Sequence, residues 1–308
     1  MSPEVLIQTV GRALQLELNR PKALNALNLR MIRLMSPAVK RAHNDSGVNV
    51  AVLSGTGDKA LCAGGDIKVL LGGGDGSDTS RRAQEDFFRE EYMLDSQLAE
   101  MTKEIPLVAF MDGITMGGGV GVSINASFRV ATEHCVFAMP ETGIGFFPDV
   151  GGSYFLANGP KLKAGLGMFL GLTGARLKGK EAVAAGVATH FVRRGNVEPL
   201  TKALSEASSR SHDEVEQILG QFVEPVDEAD SGVAAGSTLA FIEQVFGGGA
   251  PLDAMITGCD EHSSSDDPAV AKAASRAAKA LRKMSPFSLA VTREQVIRGS
   301  DRSLAELL

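Results

Sequence analysis

The apolar positions of this chain form short blocks in the first half and longer spaced patterns in the second. Ala13–Leu18, Val50–Ser54, Leu107–Met111, Phe128–Ala131 and Val136–Met139 read as strands, being short, rich in apolar residues and bounded by turn signals. Helical patterns lie between them, near Leu29–Ala42, Gln84–Lys103 and Gly118–Ser127, with Asn28 placed to cap the first. Strands alternating with helices predict an α/β fold. Gly72–Asp78 reads as a loop. Beyond residue 160 the pattern is mostly helical: Gly179–Gly186 is a short Ala-rich helix, and others run near Val197–Ser208, Ser237–Phe246 and Pro268–Lys283. Thr173–Leu177 reads as a turn, and Gly247–Gly249 and Ser263–Asp267 as surface loops. The last residues, Ser303–Leu308, stop inside an amphipathic pattern, so a longer parent chain is expected.

Composition narrows the functions. The 308 residues are 44% hydrophobic and 22% charged, with a net charge of −6. That is a soluble globular balance, and it argues against a broad nucleic-acid surface. No apolar run approaches the ~20 residues of a membrane span. Cys62, Cys135 and Cys259 are too scattered for a disulfide framework and show no metal-binding spacing. The five histidines, at 43, 134, 190, 212 and 262, form no HExxH pattern. The start, Met1-Ser2-Pro3-Glu4, shows neither an apolar signal region nor an Arg-rich leader.

Three segments carry candidate chemistry. Leu61-Cys62-Ala63-Gly64-Gly65-Asp66-Ile67-Lys68 follows a strand with small residues that let backbone N–H groups approach a ligand; alone it reads as a strand-to-helix turn capped by Asp66. Met116-Gly117-Gly118-Gly119-Val120-Gly121 opens a helix with glycines, which cost helix stability unless a close approach needs them. The unpaired N–H groups of that first turn suit an oxyanion, and close helix–sheet packing is the plainer explanation. Neither GxGxxG nor GxxxxGK[ST] is present. In the third segment Glu141 and Asp149 flank Ile144, Phe146 and Phe147, which are expected to draw the segment inward. Two carboxyl groups beside an apolar wall can differ in pKa and divide acid, base or nucleophile roles; exposed loop acids are the commoner case.

Together, in this order, these segments resemble the crotonase (enoyl-CoA hydratase/isomerase) superfamily. Leu18-Asn19-Arg20-Pro21-Lys22-Ala23-Leu24-Asn25-Ala26-Leu27-Asn28 matches too, as do Leu172-Thr173-Gly174, Glu181-Ala182 and Gly186. Gly113–Gly121, Phe128–Thr132, Phe137–Thr142, Phe147–Gly152 and Lys283–Pro286 are similar to the branch that hydrolyses 3-hydroxyisobutyryl-CoA. The resemblance implies a spiral of ββα units as a core over residues 1–195, with a helical region over 196–308. It implies an oxyanion hole from the N–H groups of Gly65 and Gly118. It implies that Glu141 is catalytic, as nucleophile or as base, with Asp149 orienting water or the substrate hydroxyl. Glu91, Gly118, Glu141 and Asp149 would contact substrate, although Glu91 reads equally as a solvated helix charge.

Hydratases of the superfamily carry a second glutamate where this chain has Gly121, and usually Gly where it has Asp149. That exchange favours hydrolysis of a thioester over addition of water to a double bond. A hydratase or isomerase, and a non-catalytic structural relative, are the alternatives. No metal or redox cofactor is implied, CoA being part of the substrate. The expected partners are an acyl-CoA and further copies of the chain, with no nucleic acid and no membrane. The family resemblance implies mitochondria and valine breakdown, with peroxisome or cytoplasm as alternative locations.

Overall fold

The computed structural model describes residues 2–67 and 78–308. The expected loop at Gly72–Asp78 falls outside them, except for Asp78, which begins a helix. A hairpin of β1 (Val5–Val10) and β2 (Ala13–Leu18) opens the chain. Three ββα turns follow, each adding one strand to each of two sheets. The strands are β3 (Val50–Gly55) and β4 (Ala60–Cys62), β5 (Leu107–Met111) and β6 (Ile114–Met116), and β7 (Phe128–Ala131) and β8 (Val136–Ala138). With β9 (Leu177–Lys178) and β10 (His190–Phe191), the sheets run β1-β2-β3-β5-β7-β10 and β4-β6-β8-β9. From β2 onward the first sheet is parallel, and β5 is buried along its whole length, which explains why these strands read as continuous apolar runs. The spiral implied by the family resemblance is therefore the observed architecture.

Helix α1 (Leu29–Asn44) starts where the Asn28 side chain accepts the Met31 N–H at 2.9 Å. It buries Met31, Ile32, Met35, Ala38, Val39 and Ala42, a single face at helical spacing. Each large member of that face contributes on the order of 1.5–3 kcal/mol. Helix α2 (Asp78–Met101) packs beside it, starting earlier than its periodicity suggested. Helix α3 (Gly118–Ile124) is three residues shorter than expected, because Asn125 caps it and the Ala126 N–H turns back to Ser123 O.

All seven residues of α3 are buried, and the helix lies between two cores. Val120 and Ile124 join the core built with the C-terminal helices, while Val122 joins the one built on β2, β3, α1 and α2.

The second half is helical: α4 (Gly152–Asn158), α5 (Leu166–Thr173), α6 (Lys180–Ala184), α7 (Val197–Ser205), α8 (His212–Gly220), α9 (Gly236–Phe246), α10 (Leu252–His262), α11 (Pro268–Lys283), α12 (Pro286–Gly299) and α13 (Leu304–Leu307). Helix α11 has the expected limits, with Asp267 accepting the Ala269 N–H at 2.8 Å. Helix α7 stops short of the expected Ser208, and Gly247–Gly249 is the expected loop, with Gly248 and Gly249 at φ 67° and 70°. Among the described residues no helix is long and apolar enough to cross a membrane.

Candidate active site

Four chain segments converge around α3. The first is the Arg20–Asn28 loop, held by its own polar groups. Asn25, at a positive φ of 54°, donates from Nδ2 to Thr56 O and Ala60 O, and Arg20 bonds Ala26 O and the Asp66 carboxylate. Asp66 thus ties this loop to the strand-to-helix turn. The result is a parallel bridge in which Leu27 N–H donates to Gly64 O at 2.8 Å and Asp66 N–H to Leu27 O at 2.7 Å. The intervening residue of such a bridge turns its own N–H the other way. The Gly65 N therefore faces α3, 3.4 Å from the position a Cβ would take on Gly118.

The second segment is the start of α3. Gly117 precedes it at φ 49°, ψ −125°, a conformation that favours glycine. Gly118 is the first helical residue, so its N–H has no partner within the helix. A Cβ on Gly118 would overlap Glu91 Oε1, and one on Gly119 would overlap the Cys62 carbonyl. The glycines are thus explained twice over, by close packing and by two N–H groups brought to one spot.

The third segment is α2. Glu91 is 2% exposed and its Oε1 has no hydrogen-bond partner among the described residues. It is not a solvated helix charge. Burial, reinforced by the Asp149 charge, holds its carboxyl well above the usual range. Tyr92 donates its hydroxyl to Asp149 Oδ2 at 2.8 Å. One turn on, Asp95 is completely buried with both oxygens unpartnered.

The fourth segment is Glu141–Asp149. Glu141 begins a 3-10 turn closed by Phe146 N–H to Glu141 O and Gly143 N–H to Pro140 O, both 3.0 Å. Its Oε1 lies 3.3 Å from the Cβ position of Gly117. Burial pushes the Glu141 carboxyl up to about 8, and the Asp149 charge adds to it. Burial also raises Asp149, but the Tyr92 hydroxyl counteracts that and holds it at about 6.

Phe146 and Phe147 stack at 4.4 Å, and Phe146 meets Phe88 of α2 at 6.0 Å. Ile144 does not turn inward as expected: the tight turn leaves it 64% exposed. After Asp149, Val150 sits at φ 49°, strained for a β-branched residue. Its Cβ lies 2.6 Å from where a Gly121 side chain would begin, and Asp95 Oδ2 lies 2.8 Å from that point. A glutamate at 121 therefore has no room, because Val150 and Asp95 occupy the space.

The structure thus gathers Gly65, Gly118, Glu91, Glu141 and Asp149 around one point. Sequence reasoning missed Asp95 and Tyr92. Their signal was periodicity: Asp95 falls on the stripe of Phe87, Leu94 and Leu98, all buried, so an acid there had to be buried too. Among the described residues no group of three or more His, Cys, Asp or Glu is arranged to hold a metal ion.

Two convergent N–H donors opposite buried carboxyl groups form an arrangement that can stabilise negative charge on an oxygen placed between them. The chain belongs to the enoyl-CoA hydratase/isomerase family, whose model matches residues 13–308. Among individual proteins it is similar to the mitochondrial 3-hydroxyisobutyryl-CoA hydrolase of Danio rerio, at 43% identity over 99% of this chain and 76% of that protein. Its Homo sapiens counterpart is 40% identical over 99% and 75%. Of solved structures, a carnitinyl-CoA dehydratase from Mycobacterium thermoresistibile superposes with a TM-score of 0.83 at 32% identity, covering 100% of this chain and 83% of that one. An enoyl-CoA hydratase from Rhodobacter sphaeroides 2.4.1 gives 0.81 at 34%, covering 99% and 82%.

Proposed function

We propose that the chain hydrolyses a short hydroxyacyl-CoA thioester, 3-hydroxyisobutyryl-CoA, to the hydroxy acid and CoA. The observation that carries this reading is the distribution of acids. Glu141 Oε1 lies beside Gly117, next to the Gly118 donor, and Asp149 is close enough to Glu141 and Glu91 for its charge to raise both carboxyls, while Val150 and Asp95 fill the space of a glutamate at 121. A hydratase that works with two glutamates would need that space.

In the reaction so read, an oxygen nucleophile attacks the thioester carbon and the carbonyl electron pair moves onto oxygen. The Gly65 and Gly118 N–H groups stabilise that charge, each by roughly 3–4 kcal/mol. Glu141 either accepts the proton of the attacking water or attacks first itself, giving an anhydride that water then opens. Collapse restores the carbonyl, breaks the C–S bond and releases the CoA thiolate, which takes up a proton. Asp149, ionised and held by Tyr92, orients the water or the substrate hydroxyl. Single turnover in ¹⁸O water separates the routes, since label enters Glu141 only if Glu141 attacks directly.

No redox or metal cofactor enters this scheme, and CoA arrives with the substrate. The names of the relatives support a mitochondrial location, and the substrate supports a place in valine breakdown. Release of free thiol from 3-hydroxyisobutyryl-CoA tests the reading, with loss of most activity expected in Glu141→Gln and in Asp149→Asn. Full activity in both variants overturns it. Loss of crotonyl-CoA absorbance without thiol release would point to a hydratase instead.

A further inference from the structure

A groove of about 920 Å³ opens between β9, α5 and α11, and none of Gly65, Gly118, Glu91, Glu141 and Asp149 lines it. One wall is the turn into β9. Leu177 is fully buried there, so its neighbours Arg176 and Lys178 point the other way, into solvent. The second wall is α11, where Lys272 and Arg276 stand one turn apart on the face that lines the groove. The opposite face of α11 buries Val270, Ala274, Ala278 and Leu281 in the core.

All four cations are exposed, and none of their side chains has a hydrogen-bond or ion-pair partner among the described residues. Helix α11 as a whole carries five basic residues and no acid, in a chain of net charge −6. The acid that lines the groove, Glu181, is committed to the backbone: its Oε1 accepts the Val233 N–H at 3.0 Å and its Oε2 the Lys178 N–H at 3.2 Å. Asp267, at the start of α11, accepts the Ala269 N–H and the Ser237 hydroxyl. Four cations on two walls therefore meet one acid already engaged. A concave surface lined by one sign of charge focuses the field within it and draws in the opposite charge. The floor is apolar and shallow, made by Phe169, Ala273 and Ala277, and the volume is that of a small-molecule site, typically about 300–1,000 Å³.

We propose that this groove binds a small organic molecule carrying linked phosphate groups, of the class of nucleoside triphosphates, at a place separate from the acyl site. Arg176 and Arg276 offer paired N–H donors to phosphate oxygens, and Lys178 and Lys272 act as point charges beside them. A lone anion engages one wall, whereas linked phosphates span both. The organic body lies against the alanines of α11.

Isothermal titration calorimetry of the full chain with ATP, at about 0.15 M salt, tests this. Saturable binding is expected, with AMP weaker by about tenfold or more and inorganic tripolyphosphate binding in place of ATP. Arg176→Glu combined with Arg276→Glu is expected to weaken ATP by about tenfold or more. Lys40→Glu with Arg41→Glu makes the same change in net charge on exposed residues of α1, and is expected to weaken it less than about twofold. Gln at 176 and 276 removes the charges with less disturbance, should the reversal impair folding. Absence of saturable ATP binding in wild type overturns the proposal. So does an unchanged affinity in the groove variants, or an equal loss in the α1 control, which would show general electrostatic attraction only.

Acyl-CoA also carries linked phosphates, and thiol-release kinetics separate the two sources. KM for 3-hydroxyisobutyryl-CoA, and for the pantetheine thioester that lacks the nucleotide, is expected to be unchanged in the groove variants. A KM raised for the CoA ester alone makes the groove part of the substrate site and overturns a separate one. An absence of thiol release in wild type sinks the thioesterase reading, while calorimetry still decides this inference.

Discussion

Replacing Glu141 with Gln should raise the stability of the protein at alkaline pH while abolishing its chemistry. Glu141 is 5% exposed, and its Oε2 has no hydrogen-bond partner among the described residues. Burial moves the carboxyl from its ordinary 4.5 to about 8. A raised carboxyl binds its proton more tightly in the folded state than in the unfolded chain. Its contribution is therefore fully present below about pH 4.5 and is lost as the pH rises towards 8. The loss runs at about 1.4 kcal/mol per pH unit. Across that window it totals roughly 3–5 kcal/mol, a large share of the 5–15 kcal/mol that holds a typical domain together.

Glutamine fills the same space and carries no charge at any pH. The variant should match wild type near pH 5 and exceed it by roughly 3–5 kcal/mol at pH 8.5. With an m-value of about 3 kcal/mol/M, this is a gain of about 1–1.7 M in the urea midpoint. Urea titrations at the two pH values give the answer directly. A difference between variant and wild type that is the same at pH 5 and pH 8.5 would refute the reasoning, because only ionisation of the buried carboxyl makes it pH-dependent.

Three more outcomes follow from the same geometry. With Asp149 and Glu141 both needed as anions, kcat/KM should rise through about pH 6 and again towards about 8; removing the Tyr92 hydroxyl in Tyr92→Phe should move the lower limb upward, as a pH–rate series would show. Gly118→Ala forces a methyl group onto Glu91 Oε1 and displaces a donor; kcat should fall about 10²–10³-fold, and an unchanged kcat would contradict the oxyanion assignment. Gly121→Glu should not create a hydratase: its Cβ would meet Val150 and Asp95, so a loss of about 1–3 kcal/mol or more in an unfolding titration is expected, with no turnover of crotonyl-CoA.

Where local physics alone sets an element, the sequence showed it. The parallel strands β3, β5 and β7 are buried on both faces and read as apolar runs, and Asn28 and Asp267 announced their helices by capping chemistry. Strand β1 was missed because its outer half is exposed at the sheet edge and carries no alternating pattern. Strands β4 and β6 have three residues each and run directly into the glycine-rich turns at 64–65 and 117–119, so they read as parts of those turns.

The glycines at 65, 118 and 121 stood out in sequence, as did Glu141, because their types are unusual for their positions. Asp95 and Tyr92 did not, since an acid and a tyrosine on a charged helix look ordinary until packing shows which face turns inward. Ile144 was read as buried from its apolar character, yet the 3-10 turn that presents Glu141 sends the next turn's side chain outward.

The placement of α3 between two cores bears on when the site comes into being during folding. One flank of the helix is built by the first hundred or so residues and the other by the C-terminal helices. Neither half can fix the Gly118 N–H by itself, and Glu141 and Asp149 arrive only with the later half. If Gly118, Glu141 and Asp149 act as proposed, a partly folded chain is therefore expected to release no thiol from a thioester. Full enclosure of this one short helix marks the point at which the polypeptide becomes an enzyme.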